Sequence, residues 1–173
     1  MTIQERARKI KLLILDVDGV LTDGRIIYDS KGRDLKLFDV HDGLGVYLLY
    51  RMGIKTILIT AKGSKAIKPR ARDMHVDKVY ENIFPKTKIY ENILSDYGVT
   101  DAEVCFVGDD LVDLCILKKV GFPVAVFNAC PEVKEISSYV TQKKGGRGAV
   151  REVAEFILKS QDRWQEALKI YEG

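Results

Sequence analysis

The feature that most constrains the fold is a short apolar run that ends in two aspartates. Leu12 to Leu15 are consecutive apolar residues, and Asp16, Asp18 and Gly19 follow them. A run of this length, closed by a turn signal, predicts a strand buried on both faces of a parallel sheet. In open α/β sheets, ligands bind in the crevice beyond the carboxyl ends of the strands. We therefore expect a functional site at this edge.

The two aspartates also indicate a metal ion. Carboxylates that crowd a partly buried sheet edge repel each other. A hard cation such as Mg²⁺ removes that cost, because it prefers carboxylate and carbonyl oxygens. Asp16 and Asp18 therefore predict a magnesium site, although a turn rich in Asp and Gly that only ends a strand has the same composition.

The rest of the chain alternates predicted strands with predicted helices. The strands are predicted at 12–15, 54–59, 76–80, 104–107, 123–127 and 139–140. The helices are predicted at 2–9, 43–52, 66–74, 86–97, 111–120, 131–136, 149–160 and 163–171. The alternation predicts one α/β domain over residues 1–173, with a Rossmann-like, mainly parallel sheet flanked by helices. Residues 25–39 are predicted to form a projecting β-hairpin, and Asp42 is the expected N-cap of the helix that follows.

Composition excludes several classes of partner. The 28 basic and 25 acidic residues give a net charge of +3, which is too small to predict nucleic-acid binding. The longest apolar runs are too short to cross a bilayer, so no membrane partner is expected. Met1 to Lys11 is polar and lacks the pattern of a signal peptide. Three cysteines without a close-spaced metal pattern predict free thiols and a cytoplasmic protein.

Other polar side chains follow the predicted strands or begin a helix. Thr60 and the pair Asp109-Asp110 each follow a strand, and Lys86 begins a helix. In a parallel sheet these positions gather at one edge, beside Asp16. A carboxylate can act as a nucleophile that forms an aspartyl phosphate. A metal ion and a lysine offset charge on a phosphoryl group, so the set predicts phosphoryl transfer.

These segments resemble the four motifs of the haloacid dehalogenase superfamily. The matching stretches are Asp16 to Thr22, Thr60, Lys86 and Gly108 to Asp113. The resemblance implies that Asp16 is the nucleophile and that Asp18 is the general acid and then the general base. It also implies that Asp16, the backbone carbonyl of Asp18, and Asp109 hold Mg²⁺. Thr60 and Lys86 would bind the phosphoryl oxygens.

Asp110 and Asp113, in the last of the four motifs, each have two interpretations. Asp110 or Asp113 would support the site by orienting Lys86 or a metal-bound water. Alternatively, both are acids favoured at the N-terminus of a helix.

Within the superfamily, the whole chain is similar to the 3-deoxy-D-manno-octulosonate 8-phosphate phosphatases. The matching stretches are Asp16 to Gly24, Asp42 to Gly45, Gly108 to Asp113 and Gly145 to Glu152. The chain leaves no room for a cap domain. The resemblance implies a cytoplasmic homotetramer that hydrolyses this phosphorylated sugar acid in lipopolysaccharide precursor synthesis. Its hairpins would meet at the centre, and Arg147 is the residue expected to reach a neighbour's site.

Two positions depart from that family. Thr60-Ala61-Lys62 stands where Thr-Gly-Arg is common, and His41 stands where an arginine precedes Asp42-Gly43. Lysine and histidine meet a carboxylate without the bidentate fork of arginine, so the exact sugar acid stays open. The predicted substrate-binding residues are Asp18, His41, Asp42, Gly43, Lys62, Lys86 and Arg147. His41 is alternatively a surface or capping residue.

Two other functions remain as alternatives at this point. One is a phosphatase for another nine-carbon sugar acid phosphate or a small phosphate ester. The other is a tetramerisation module without catalysis. The presence of Asp16, Asp18, Lys86 and Asp109 together favours an enzyme, because a binding module does not need the complete catalytic set.

Overall fold

The structure is a computed structural model that describes residues 1–172. Its strands are β1 (Leu12–Leu15), β2 (Ile27–Tyr28), β3 (Asp34–Leu35), β4 (Lys55–Ile59), β5 (Lys78–Tyr80), β6 (Val104–Gly108), β7 (Phe122–Ala125) and β8 (Tyr139–Val140). Its helices are α1 (Ile3–Arg8), α2 (Val40–Arg51), α3 (Ile67–Asp73), α4 (Thr87–Tyr97), α5 (Leu114–Leu117), α6 (Pro131–Ile136), α7 (Ala149–Ser160) and α8 (Trp164–Leu168). Short 3₁₀ turns lie at Asp101–Glu103 and Leu111–Asp113.

Six strands form one parallel sheet in the order β5-β4-β1-β6-β7-β8. β1 lies inside the sheet, with Leu15 paired to Leu58 of β4 and to Val107 of β6. All four side chains of β1 are buried, as a strand covered on both faces by helices requires. The predicted parallel α/β sheet is therefore confirmed.

The helix α7 has a strongly apolar face that packs against α2 and α1. Val150, Val153 and Ile157 on this face are fully buried. Their spacing follows the helical repeat, which is why the sequence placed both ends of this helix correctly. Among residues 1–172, no helix combines the length and apolar content needed to cross a membrane.

The segment between β1 and α2 forms a separate two-stranded hairpin, as predicted. β2 and β3 pair antiparallel, with Ile27 opposite Leu35. Several of its apolar side chains are exposed, including those of Ile26, Leu35 and Leu37. The hairpin therefore presents an apolar surface that this chain does not cover itself.

Three predicted helices have wrong bounds, and one of them, predicted at 163–171, is α8, which ends at Leu168. α2 begins at Val40, and Asp39 caps it by accepting a hydrogen bond from the His41 backbone N–H at 2.7 Å. Asp42, the predicted cap, lies inside the first turn. The predicted helix 111–120 is a 3₁₀ turn followed by the short α5. The Asp113 carboxylate folds back onto the backbone N–H of Asp109, which holds the first turn in this tighter form.

Candidate active site

The two central strands bring Asp16 and Asp109 to the same sheet edge. β1 and β6 are parallel neighbours, and the Asp16 backbone N–H donates to the Val107 carbonyl at 3.1 Å. Asp16 therefore continues the strand ladder by one residue, and its side chain is buried. Asp109 follows the last residue of β6 and is half-buried. The structure thus places the two acids as the alternation of strands predicted.

The turn after β1 allows a close approach between these segments. Gly19 has φ +93°, and a Cβ atom at this position would overlap the Asp109 carboxylate. Only glycine fits here, for conformation and for space. The Thr22 hydroxyl accepts hydrogen bonds from the backbone N–H groups of Gly19, at 3.2 Å, and Gly24, at 3.3 Å. These contacts fix the turn that carries Asp18.

Lys86 supplies the positive charge at the centre of the site. Its side chain is 0% exposed, and its ammonium donates to Asp16 Oδ1 at 2.5 Å and to Asp113 Oδ1 at 2.6 Å. A buried ammonium is tolerated only when it is paired and hydrogen-bonded. Burial acts to lower the pKa of Lys86, but the carboxylates of Asp16 and Asp113 outweigh it and raise this pKa. Lys86 is therefore a cation that holds Asp16 in place.

Both carboxylate oxygens of Asp113 accept hydrogen bonds within the site. Its Oδ1 accepts from Lys86, and its Oδ2 accepts from the backbone N–H of Asp109 at 2.9 Å. Gly108 makes room for it, since a Cβ there would lie 2.6 Å from Asp113 Oδ2. Of its two interpretations, this environment supports the one in which Asp113 orients Lys86. Asp110 is exposed and accepts from the Leu111 N–H at 2.8 Å, which supports the capping interpretation.

The acidic cluster has the composition of a site for a hard divalent cation. Carboxylate oxygens of Asp16, Asp109 and Asp113 lie within 4.8 Å of one another. Burial, reinforced by Asp113 and opposed by Lys86, raises the pKa of Asp16 to about 7. Burial, reinforced by Asp16 and Asp113, raises the pKa of Asp109 to about 8. The single charge of Lys86 therefore does not balance the three carboxylates, and an all-oxygen set fits Mg²⁺.

Within this cluster, Asp16 and Asp109 are the side chains suited to hold the ion. Asp113 is occupied by Lys86 and by the backbone, as described above. The Asp18 side chain lies outside the cluster and points to the hairpin, where it pairs with Lys36. The predicted metal contact of Asp18 uses its backbone carbonyl. The direction of the side chain does not test that contact, so it stays a prediction.

We expect the Mg²⁺ affinity to rise with pH below and through the range set by the two raised pKa values, about 7 for Asp16 and about 8 for Asp109. Protonated carboxyls do not bind the ion, so binding must release protons at every pH below the higher of these values. The affinity should change by about tenfold per pH unit for each proton released. Calorimetric titration with Mg²⁺ in buffers of different ionisation enthalpy measures both quantities. An affinity that is constant across this range, without proton release, would contradict the assignment.

Thr60 and Lys62 lie on the loop after β4, the other neighbour of β1. The buried Thr60 hydroxyl donates to the Lys62 carbonyl at 3.0 Å, so it also shapes this loop. The Lys62 ammonium donates to the Tyr28 hydroxyl of the hairpin at 2.9 Å. Lys62 and Asp18 line a cavity of about 110 Å³ beneath the hairpin. The structure therefore gathers the first two motifs beside the hairpin.

His41 and Arg147 lie on a different cavity, of about 250 Å³. His41 Nδ1 is 3.0 Å from Asp39 Oδ1, and Arg147 Nη2 is 3.8 Å from Asp23 Oδ2. Both side chains are exposed. The predicted substrate-binding residues are thus divided between two cavities, with Lys62 in one and with His41 and Arg147 in the other.

Asp42 and Gly43 are buried and line neither of these cavities. The Asp42 carboxylate accepts from the backbone N–H groups of Arg151, at 2.9 Å, and Gly148, at 3.3 Å. It therefore caps α7 from α2, and burial raises its pKa to about 6. Gly43 lies against the guanidinium of Arg70. These environments support a packing role for both residues in place of the predicted substrate contact.

Sequence reasoning missed two residues that shape the site. Asn128 donates from Nδ2 to the Gly19 carbonyl at 3.3 Å and accepts at Oδ1 from the Gly145 N–H at 2.7 Å. It ties the turn after β1 to the glycine-rich turn before α7, and no local pattern announces this contact. Lys36 pairs with Asp18, and its only sequence signal is its place between Leu35 and Leu37 in the hairpin.

The known proteins similar to this chain include named phosphatases. The haloacid dehalogenase-like hydrolase family matches residues 51–153. The 3-deoxy-D-manno-octulosonate 8-phosphate phosphatase KdsC of Yersinia pestis is 39% identical over 163 residues, which cover 94% of this chain and 87% of that protein. The phosphatase of the same name from Escherichia coli K12 is 38% identical over 162 residues, covering 94% and 86% of the two chains.

A solved structure agrees with these relatives. The 3-deoxy-D-manno-octulosonate 8-phosphate phosphatase of Moraxella catarrhalis, in complex with a magnesium ion, a phosphate ion and a KDO molecule, matches with a TM-score of 0.95. It is 36% identical, and the match covers 98% of each chain. The resemblance inferred from the motifs is confirmed: the chain belongs to the haloacid dehalogenase-like hydrolase family and is similar over nearly its whole length to the 3-deoxy-D-manno-octulosonate 8-phosphate phosphatases within it.

Proposed function

We propose that this chain is a Mg²⁺-dependent phosphatase that hydrolyses 3-deoxy-D-manno-octulosonate 8-phosphate to the free sugar acid and phosphate. The observation that carries the proposal is the buried Asp16 carboxylate, held by Lys86 beside Asp109 at the sheet edge. The same activity is named for relatives that match 94% of this chain. We further propose that residues 1–173 act as one catalytic domain.

The proposed reaction uses Asp16 and Asp18 in two steps. An Asp16 oxygen forms a bond to phosphorus as the ester P–O bond breaks, and Asp18 gives its proton to the leaving oxygen. Asp18, now a carboxylate, then takes a proton from water as the water oxygen bonds to phosphorus. The bond from phosphorus to Asp16 breaks and phosphate leaves. Mg²⁺ held by Asp16 and Asp109 would offset negative charge on the phosphoryl group, and the Lys86 ammonium would offset it as well.

Substrate choice is assigned to the cavities beside the hairpin. Lys62 lines the cavity next to Asp18, and it carries a positive charge suited to the carboxylate of a sugar acid. His41 and Arg147 line the second cavity, which Arg147 would serve either in its own chain or in a neighbour. Because Lys62 and His41 replace the arginines common in the family, a nine-carbon sugar acid phosphate is the second candidate substrate.

A substrate panel tests the function. Phosphate release is measured with Mg²⁺ from 3-deoxy-D-manno-octulosonate 8-phosphate, a phosphorylated nine-carbon sugar acid, glucose 6-phosphate and p-nitrophenyl phosphate. We expect the highest kcat/KM for the first compound and loss of all turnover with EDTA. Higher kcat/KM for the nine-carbon acid would favour the second candidate. No turnover of any ester would support the alternative of a non-catalytic tetramerisation module.

We also propose that the enzyme is a cytoplasmic homotetramer joined through the hairpins. The support is the exposed apolar surface of Ile26, Leu35 and Leu37, since contiguous exposed apolar patches mark interaction sites. A closed arrangement would also cover a site over which residues 1–172 place no cap domain. The three cysteines are free thiols, in keeping with a reducing compartment.

Leu37→Asp should convert the tetramer to smaller species. The change puts a charge on the exposed apolar surface of the hairpin, which association would have to desolvate. We expect weaker turnover of the sugar acid phosphate and retained turnover of p-nitrophenyl phosphate, measured beside light scattering. Val140→Asp, on the exposed side of β8, is the matched control. A wild-type monomer with full sugar-acid turnover would overturn the proposed assembly.

A further inference from the structure

One lysine of the hairpin, Lys36, points toward the protein, whereas the apolar side chains on either side of it point outward. The Lys36 side chain is 8% exposed, whereas Leu35 is 51% and Leu37 is 63% exposed. Successive side chains of an extended segment point to opposite faces, so the apolar pair faces outward and the charged residue faces the protein. This is the reverse of the usual distribution of apolar and charged groups.

The contacts of Lys36 explain its inward direction. Its ammonium forms an ion pair with Asp18 Oδ1 and lies 3.8 Å from Asp34 Oδ2. Asp34 Oδ2 is buried and has no hydrogen-bond partner within residues 1–172. The Lys36 ammonium therefore compensates the charge of this oxygen. Lys36 also lines the cavity of about 110 Å³ that contains Asp18 and Lys62. The hairpin therefore places one ammonium between two carboxylates at the mouth of the site.

The position of Lys36 has an energetic cost that these partners must offset. A lysine on a surface hairpin ordinarily extends its ammonium into water, as its flexible stem allows. Lys31, at the turn of the same hairpin, is exposed. Lys36 gives up that hydration, and a poorly hydrated ion is tolerated only with well-placed partners. The ion pair between Lys36 and Asp18 therefore compensates the hydration that Lys36 loses in the folded hairpin.

We propose that Lys36 is a positioning residue that fixes the Asp18 carboxylate at the cavity beneath the hairpin, where the leaving group and the attacking water would meet it. This inference rests on the proposed phosphatase function. In the second step Asp18 is a carboxylate, the form with which an ammonium pairs. Asp18 must take a proton from the water oxygen as that oxygen bonds to phosphorus and the phosphorus–Asp16 bond breaks. Lys36 restricts the Asp18 side chain, which is itself 36% exposed, to the orientation that this step needs.

Two other roles for Lys36 predict different kinetics. A lysine that only stabilises the hairpin would change assembly and thermal stability, and it would leave the balance between the two chemical steps unchanged. A lysine that binds the sugar acid directly would raise KM for that substrate and leave a small aryl ester unaffected. A positioning residue for Asp18 should instead slow the second step for every ester.

The test compares Lys36→Met with Lys31→Met on p-nitrophenyl phosphate, whose phenolate leaves without needing a proton from Asp18. We expect Lys36→Met to lower kcat by about 10²-fold, because misplacing a catalytic group costs about this much, and to lower KM with it, because the second step then limits the rate. Acid quenching during turnover should show a larger fraction of phosphorylated enzyme than in the wild type. Lys31→Met should match the wild type, and Lys36→Arg should recover part of the lost kcat.

Each contrary result has a distinct meaning. An active wild type with an unchanged phosphorylated fraction in Lys36→Met overturns the positioning role and leaves the proposed function intact. A raised KM for the sugar acid phosphate alone assigns Lys36 to substrate binding instead. A wild type that hydrolyses no ester overturns the proposed function, and the inference falls with it. Thermal denaturation of both variants identifies a loss that is due only to misfolding, in which case Lys36→Arg decides between the roles.

Discussion

Asp16→Asn should lower kcat by at least about 10³-fold on every substrate, as expected when a nucleophile is removed. An amide neither attacks phosphorus nor carries the charge that Mg²⁺ requires. The fold should persist, because the asparagine oxygen can still accept the hydrogen bond that Lys86 donates to Asp16 Oδ1. Phosphate release and thermal denaturation, measured together, separate lost chemistry from lost structure.

The matched control for this variant is Asp73→Asn. Asp73 is an exposed acid at the end of α3, so the same chemical change there should leave kcat within error of the wild type. Turnover by Asp16→Asn at more than a small fraction of the wild-type rate would overturn the role of Asp16 as nucleophile.

Lys86→Met should remove both activity and a large part of the stability. Lys86 is 0% exposed and donates to two carboxylates, which the substitution would leave buried and unpaired. Breaking a buried ion pair by removing one partner costs about 3–5 kcal/mol of the free energy of unfolding. The phosphoryl group would also lose a positive charge, so kcat should fall by about 10²-fold or more. Denaturant unfolding and phosphate release measure the two effects.

Lys88→Met is the control for the second variant, because Lys88 is exposed on the same helix, α4. It should change the free energy of unfolding by less than about 0.5 kcal/mol, as surface substitutions usually do. If Lys86→Met were as stable as Lys88→Met, the buried ion pair would not stabilise the fold.

The fold was predictable because its main signals are local. The apolar run of β1 and the turn after it announce a buried strand, and β1 has the predicted bounds. The apolar repeat of α7 and the proline at the start of α6 are also local signals. Both helices begin and end at the predicted residues. Alternation predicted that Asp16 and Asp109 lie at the same sheet edge, and the strand order, which alternation does not specify, makes their two strands neighbours.

The errors and omissions arise where distant segments compete with local pattern. Asp42 has the sequence position of a helix cap, but it is drawn to the backbone of α7, and Asp39 caps α2 instead. Asn128 joins two turns that are far apart in sequence, so neither turn predicts it. The division of His41 and Lys62 between two cavities depends on the direction in which the hairpin projects, which no spacing encodes.

The central claim is that Asp16 is phosphorylated during turnover, and trapping that phosphate tests it most directly. Wild-type protein with Mg²⁺ and p-nitrophenyl phosphate is quenched in acid and reduced with borohydride, which converts an aspartyl phosphate to homoserine. Mass spectrometry of the peptides then locates the modified residue. The account predicts homoserine at position 16 in the wild type and none in Asp16→Asn. Continuing turnover with no modification at position 16, or with modification at another aspartate, would contradict it.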